Sequence, residues 1–203
     1  INRPPKNKSG RMHFLRECKK RMTPLLSLQQ EEVANSIPDG PQRIRGLAGT
    51  GKTIVMALRV AHIYKLHPEW SVFVTYGTRA LYQTLGERIL QYIQGEIEES
   101  SDSEEEYKPP KNLKIGHAQV LIKDIGYRIN SPYERFESYT EDLIGNSVRL
   151  IRKIEELKKE DKFTPFFDYV IADESQDLPD EFLKLCLLVS KNDRFTWGID
   201  EMQ

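Results

Sequence analysis

The sequence predicts an α/β fold in which a mostly parallel β-sheet is flanked by helices. Three observations support this fold class. Segments with the pattern of strands alternate with segments that have the apolar periodicity of helices. The run 166–172 (FFDYVIA) is almost continuously apolar, as expected for a parallel strand covered on both faces. A glycine-rich loop over 46–51 separates a predicted strand from a predicted helix.

The elements follow one another along the chain. Short apolar segments bounded by turn residues predict strands at 42–45, 71–76, 112–116, 166–172 and 194–199. Apolar residues at helical spacing predict helices at 52–65, 78–94, 141–159 and 179–189. Two segments interrupt this order. Residues 95–111 are acidic and poor in hydrophobic residues, which predicts a disordered loop. The wider segment 97–163 is interpreted as a small helical insertion on the sheet edge.

Composition limits the class of protein. With 203 residues, the chain can form one full core and a small additional subdomain. It contains 30 Lys and Arg against 31 Asp and Glu, and its net charge is -1. A strongly basic chain is therefore excluded, and any contact with nucleic acid must be local. Two cysteines without metal-ligand spacing favour a reduced, cytoplasmic protein, and no apolar run long enough to span a membrane is present.

The first segment, 1–22, is basic and rich in Pro, Asn and Lys. It is interpreted as a linker or as the tail of an upstream domain, with an arm that touches nucleic acid as the alternative. The sequence begins at Ile1 rather than Met and stops at Gln203 shortly after a predicted strand. We therefore expect a piece of a longer protein.

The glycine-rich loop matches the pattern G-x-x-x-x-G-K-[ST] of a phosphate-binding loop, and its context of strand, loop and helix is the required one. Glycines let the backbone approach phosphates closely, so that several N–H groups point toward them. The following helix directs the positive end of its dipole at the same place. We expect Lys52 to contact the β- and γ-phosphates and Thr53 to coordinate Mg²⁺. The predicted nucleotide-binding residues here are Gly46, Leu47, Ala48, Gly49, Thr50, Gly51, Lys52 and Thr53.

An acidic run (DESQD) follows the buried strand 166–172. Carboxylates at the carboxyl end of a parallel strand lie beside the ligand site of such a sheet. Asp173 is expected to hold Mg²⁺ through water, since Mg²⁺ retains much of its hydration shell. Glu174 is expected to orient and deprotonate the attacking water, which favours a hydrolase over a kinase. The alternative is that these acids cap the helix 179–189.

The loop GLAGTGKT and the run DESQD together resemble the Rep/UvrD-type superfamily 1 helicases. This resemblance implies a P-loop NTPase with a RecA-like sheet. Residues 23–203 would be its ATP-binding domain 1A, and 97–163 a possible subdomain 1B. It also implies ATP and Mg²⁺ as ligands, single-stranded DNA or RNA as a partner, and a second RecA-like domain beyond this chain. Some similar bacterial proteins carry an upstream nuclease-related domain, which is a further expected partner.

Four shorter stretches extend the resemblance. The stretch 28–34 (LQQEEVA) is similar to the glutamine motif, so Gln29 would read the adenine edge, with Gln30 as the alternative. The stretch 200–203 (DEMQ) is similar to motif III, whose glutamine, here Gln203, senses the γ-phosphate. The two remaining stretches imply strand contacts, by Tyr76 and Arg79 in a motif Ia-like segment (VTYGTRAL) and by His117 after Gly116.

The sequence also departs from the family pattern. Ile199 stands where the family has Gly, and Ile54 stands where an adenine-packing Arg is frequent. Motif Ia has Gly77 and Thr78 in place of the usual residues. Tyr76 could be a core residue rather than a base-stacking one, and Arg79 could be a solvated helix charge. At the level of function, an ATPase switch or defence module without unwinding and a small-molecule kinase are the alternatives to a helicase.

Overall fold

A computed structural model of the chain describes residues 27–77, 85–86, 88–93 and 111–201. Within these residues, five strands form one entirely parallel sheet in the order β1-β5-β4-β2-β3. The strands are β1 (Gln42–Gly46), β2 (Val72–Tyr76), β3 (Leu113–His117), β4 (Tyr169–Asp173) and β5 (Phe195–Asp200). The predicted α/β class, with a parallel sheet flanked by helices, is thereby confirmed.

Helices cover both faces of the sheet. The described ones are α1 (Leu28–Asn35), α2 (Lys52–Leu66), α3 (Ala118–Arg128), α4 (Tyr139–Lys159) and α5 (Asp180–Leu188). Short 3-10 turns lie at Ser175–Asp177 and Lys191–Asp193, and residues 88–93 are also helical. Among the described helices, none combines the length and the apolar character that crossing a lipid bilayer requires.

Two hydrophobic layers result from the alternation of side chains along the central strands. Phe73, Val170 and Ala172 point to the layer formed by α3, α4 and α5. Val74 and Ile171 point to the opposite layer, which contains α2 and the helical residues near position 90. Both faces of β2 and β4 are covered, so every residue of these two strands is buried and most are apolar, as in parallel strands generally.

Strand β4, which ends at Asp173, begins later than the sequence predicts. The apolar run starts at position 166, but β4 starts at Tyr169. Asp168 precedes the strand and accepts a hydrogen bond from the Ser71 amide at 2.9 Å, while the Phe166 amide donates to the Val189 carbonyl. The amides of Phe166 and Phe167 both bond to the Val189 carbonyl and therefore do not take part in the ladder with β2. The two phenylalanines therefore pack in the core without belonging to the strand.

The described part of the segment 97–163 is integrated with the sheet. Residues 113–117 form the edge strand β3, and helices α3 and α4 contribute to the same core as β4 and β5. The sequence did not predict helix α3. The assignment of 97–163 as an insertion or subdomain stays a prediction, as does the assignment of 1–22 as a linker. Residues 1–26, 78–84 and 94–110 lie outside the described residues. Most of the acidic loop and part of the helix predicted at 78–94 fall within these undescribed segments.

Two helical glycines allow a test of this packing. A Cβ at Gly126 in α3 would lie 2.4 Å from the Ser131 carbonyl oxygen, whereas a Cβ at Gly86 would meet nothing closer than 4.0 Å. We expect Gly126→Ala to lower the free energy of unfolding by about 1–3 kcal/mol because the backbone must shift. Gly86→Ala, the control, should raise it by up to about 1 kcal/mol through helix propensity. Urea denaturation measures both, and a stabilising Gly126→Ala would contradict the packing of α3.

Candidate nucleotide site

The phosphate loop occupies the turn between β1, which ends at Gly46, and α2, which begins at Lys52. Gly49 and Gly51 have φ values of 79° and 82°, a left-handed conformation that other residues adopt at a cost. At Gly46, a Cβ would lie 2.6 Å from the Thr50 hydroxyl oxygen. The loop therefore needs glycine at these positions to form its tight turn in front of the helix N-terminus.

Lys52 is buried, with 7% of the residue exposed, and its side chain is directed back toward this loop. Its Nζ donates to the carbonyl oxygens of Gly46 and Leu47, each at 3.0 Å, and to the carboxylate of Asp200. Asp200 is the last residue of β5, and the parallel register places it beside Gly46. The sequence predicted the position of Lys52 but not this carboxylate partner.

Thr53, in the first turn of α2, meets Asp173 at the end of β4. The two elements meet although β1, which leads into α2, is separated from β4 by β5. The Thr53 hydroxyl donates to Asp173 Oδ2 at 2.7 Å. A hydroxyl and a carboxylate are the hard oxygen ligands that Mg²⁺ takes from proteins, and phosphates and waters complete its shell. The pair therefore fits the predicted metal site, with Thr53 and Asp173 as the residues that would hold the ion.

Burial raises the pKa of Asp173 above the ordinary range of a carboxyl group. The hydrogen bond from Thr53 opposes this shift, and the neighbouring charge of Glu174 adds to it. Asp173 is 0% exposed, so a protein that keeps it ionised bears a desolvation cost in the folded state. A bound cation would lower that cost by favouring the ionised form.

Glu174 lies at a sharp turn directly after β4. Its backbone has φ 50° and ψ 48°, the left-handed region that is uncommon for a residue with a side chain. The Gln176 side-chain amide donates to Glu174 Oε2 at 2.5 Å. The Ser175 hydroxyl donates to the Gly198 carbonyl at 2.6 Å and ties the turn to β5. Glu174 is thus held beside Asp173 by this turn and does not cap α5, whose N-cap residue is Pro179.

The glutamine that reaches the phosphate loop is Gln30. Its Nε2 donates to the Thr50 carbonyl at 2.8 Å, and its Oε1 accepts from the Ser27 amide at 2.7 Å, which closes a capping box at the start of α1. Gln29, the first choice from the sequence, is exposed on α1. The geometry therefore favours the alternative that the sequence left open.

Of the remaining predicted residues, the structure describes Tyr76 and His117. Tyr76 is 3% exposed, so its ring belongs to the core, which was one of the two interpretations open from the sequence. His117 is half-buried, and its ring contacts the Gly77 carbonyl at 2.9 Å and the Tyr139 hydroxyl at 3.0 Å. Arg79 and Gln203 lie outside the described residues. The roles of all four stay predictions.

Gly77, a departure from the family pattern, has a structural reason. A Cβ at this position would lie 2.8 Å from the Asp177 Cβ and 3.3 Å from the Glu174 carbonyl oxygen. The end of β2 therefore approaches the acidic turn so closely that only glycine fits without displacement. The sequence could not reveal this, because it does not tell which strand lies beside β4.

Comparison with protein-family models gives one decisive match. Residues 26–193 match the family described as "Type III restriction enzyme, res subunit". The chain belongs to this family. The res-subunit family identifies it as a helicase-type ATP-binding domain. No curated protein is significantly similar in sequence. The superfamily 1 assignment made from the short motifs is not confirmed by this match.

Two solved structures are similar in fold to this res-subunit family member. The UvsW helicase from bacteriophage T4 matches with 11% sequence identity and a TM-score of 0.49, over 87% of this chain and 52% of that one. A Dbp5 variant from S. cerevisiae, in a complex that includes ADP, matches with 14% identity and a TM-score of 0.46, over 93% and 46%. The chain therefore spans about half the length of each of these structures.

The pKa of Asp173 leads to a prediction on stability. Because burial raises its folded-state pKa, the stability that Asp173 contributes is present below the unfolded pKa and is lost as the pH rises through the folded pKa. At neutral pH, Asp173→Asn removes the cost of a buried charge and should stabilise the ligand-free chain. A gain of about 1 kcal/mol would raise the Tm by about 2–4 °C.

Thermal denaturation at several pH values tests this. The gain of Asp173→Asn should shrink as the pH falls through the raised folded-state pKa of the wild-type carboxyl group, and it should be absent below the ordinary carboxyl pKa of about 4. The same variant should lose the Mg²⁺ dependence of ATP binding. Asp39→Asn, which removes an exposed ion pair with Arg194, is the control and should change stability by less than about 0.5 kcal/mol. A destabilised Asp173→Asn at neutral pH would refute the assignment of a desolvated carboxylate.

Proposed function

We propose that this chain is the first of two RecA-like domains of a motor that couples ATP hydrolysis to movement along single-stranded DNA or RNA. One observation carries the proposal. The Thr53 hydroxyl and the Asp173 carboxylate, 2.7 Å apart, join the phosphate loop to an acidic turn that also holds Glu174. A triphosphate-binding loop that faces an adjacent pair of acids has the parts needed for hydrolysis.

Each residue has a distinct task in this proposal. The loop amides and Lys52 bind the β- and γ-phosphates of ATP. Thr53 and Asp173 hold Mg²⁺, which when bound neutralises phosphate charge and polarises the bond that is cleaved. Glu174 orients the attacking water and accepts its proton. Gln203 would contact the γ-phosphate, as the resemblance to motif III suggests.

The position of the motif Ia-like segment supports coupling to a nucleic-acid strand. The register pairs Tyr76 at the end of β2 with Asp173 on one side and with His117 on the other. Residues that follow these strands therefore emerge at the same sheet edge as the acidic turn. A nucleic-acid strand bound there would lie close to the site of hydrolysis.

The proposal also includes the superfamily 1 affiliation, the upstream nuclease-related domain and the cytoplasmic location. These three parts rest on the sequence motifs and the composition.

The proposal predicts binding without rapid turnover for this chain. An arginine from the second domain can contribute about 10³–10⁵ in rate in comparable enzymes, so the chain alone should bind MgATP but hydrolyse it slowly. Calorimetry should detect binding that Lys52→Ala abolishes. In a protein containing both domains, Glu174→Gln should retain ATP binding and lose turnover. Rapid turnover by the 203-residue chain in the presence of single-stranded DNA would contradict the two-domain mechanism.

Labelled single strands distinguish this function from the alternative, an ATPase switch without unwinding. Fluorescence anisotropy of labelled DNA and RNA oligonucleotides should show binding to the two-domain protein that weakens linearly with the logarithm of salt concentration. Nucleotide-dependent binding of strands would support a motor. Hydrolysis that is indifferent to both DNA and RNA would favour the switch.

The contact of Gln30 with the loop predicts adenine selectivity. We expect Gln30→Ala to reduce the preference for ATP over GTP by about tenfold, because the hydrogen bonds of one side-chain amide are lost. Gln29→Ala, on the same helix but exposed, is the matched control and should keep the preference. Competition binding with ATP and GTP measures both variants. If Gln29→Ala loses selectivity and Gln30→Ala does not, the first choice from the sequence is right.

A further inference from the structure

The ammonium of Lys52 has no unused hydrogen in the structure. A lysine has three N–H donors, and here they go to the Gly46 carbonyl, the Leu47 carbonyl and the Asp200 carboxylate. Lys52 and Asp200 are both buried, with side chains 8% and 9% exposed. The cation that should bind phosphate is therefore already neutralised by a carboxylate of the same chain.

A triphosphate cannot take Lys52 without consequences for Asp200. If the ammonium turns to phosphate oxygens, the Asp200 carboxylate is left buried beside a polyanion. An unpaired buried charge is strongly unfavourable, and the phosphates would repel it further. Asp200 is the last residue of β5, where the pairing with β1 ends. Binding of phosphate by Lys52 therefore competes with its contact to Asp200.

Asp200 is also connected to the candidate base. Its backbone amide donates to Gln176 Oε1 at 3.4 Å, and Gln176 Nε2 donates to Glu174 Oε2 at 2.5 Å. A single glutamine side chain therefore bridges the end of β5 and the carboxylate that should activate water. When the end of β5 moves, the contact between Gln176 and the Asp200 amide changes.

We propose that Asp200 is a resting-state counterion of Lys52 that the triphosphate must displace, and that Gln176 transmits this displacement to Glu174. Both are positioning residues, since neither needs to touch the reacting atoms. In the resting state, the ion pair of Lys52 with Asp200 lowers the affinity for nucleotide, and Glu174 is held in a hydrogen bond with Gln176. Once the phosphate loop is occupied, Gln176 follows the displaced end of β5 and turns Glu174 toward the water. This inference rests on the proposed function, because it assumes that Lys52 binds the phosphates of ATP.

Calorimetric titration of MgATP into the 203-residue chain tests the displacement. Asp200→Asn retains the shape of the side chain without its charge, so its Kd for MgATP should be about tenfold lower than that of the wild type. Asp124→Asn, which removes an exposed ion pair with Lys114 and Arg128, should leave the Kd unchanged. Equal or weaker binding by Asp200→Asn, with normal binding by the wild type, would overturn the inference.

Two further arms keep the outcome decisive. If Asp200→Asn does not fold, as judged by circular dichroism, Asp200→Ser makes the same comparison, because it also removes the anion. If the wild type and the variants all fail to bind MgATP, the proposed function is wrong and this inference falls with it. A normal wild-type Kd that no Asp200 variant lowers refutes the counterion while leaving the proposed function intact.

The link to Glu174 needs a readout that separates chemistry from binding. With the chain in excess over labelled ATP, Gln176→Ala should lower the single-turnover rate by about tenfold, a fraction of what a general base contributes. Its Kd for MgATP should remain within about twofold of the wild-type value, which is close to the precision of the titration. A loss of affinity that parallels the loss of rate would indicate a structural role only. An unchanged rate would overturn the link.

Discussion

The hydrogen bond between Thr53 and Asp173 is the contact on which the candidate site depends. It joins the start of α2 to the end of β4 across an intervening strand, and it exists only because all described strands run in the same direction and end at the same edge. Helix α2 must therefore pack on the sheet with its first turn at that edge. The apolar layer under α2, which includes Val60 and Ile171, fixes this position.

The site contains several charged groups that are buried, which is energetically unfavourable for each of them. Asp173, Lys52 and Asp200 are all buried, and each has a hydrogen-bond partner within the same site. Arg59 shows the same principle away from the site. Its guanidinium, fully buried on α2, donates to the Val33 carbonyl on α1 and to the Thr196 hydroxyl on β5, and burial lowers its pKa. This arginine ties α1 to the body of the domain and so supports the position of Gln30.

Local patterns in the sequence are sufficient for the phosphate loop, the acidic turn and the fold class, since each depends on neighbours along the chain. Contacts set by the order of strands are not predictable in this way. The pairing of Asp200 with Lys52 requires β5 to lie beside β1, and the need for glycine at position 77 requires β2 to lie beside β4. The choice of Gln30 over Gln29 depends on the rotation of a helix with little apolar patterning, for which the sequence has no strong signal.

The strand order also places the proposed hydrolysis site and the proposed nucleic-acid-binding segment at the same end of the sheet, where the parallel strands have their carboxyl ends. β4 lies between β5, which presents Asp200, and β2, which ends at Tyr76. The acidic turn after β4 contacts both neighbouring strands. The Ser175 hydroxyl donates to the Gly198 carbonyl of β5, and Asp177 closely approaches Gly77 at the end of β2. The contact at Gly77 leaves no space for a side chain, so the acidic turn and the end of β2 are packed directly against each other. In the proposed motor, this contact would connect the hydrolysis site to the segment after β2 that resembles a strand-binding motif.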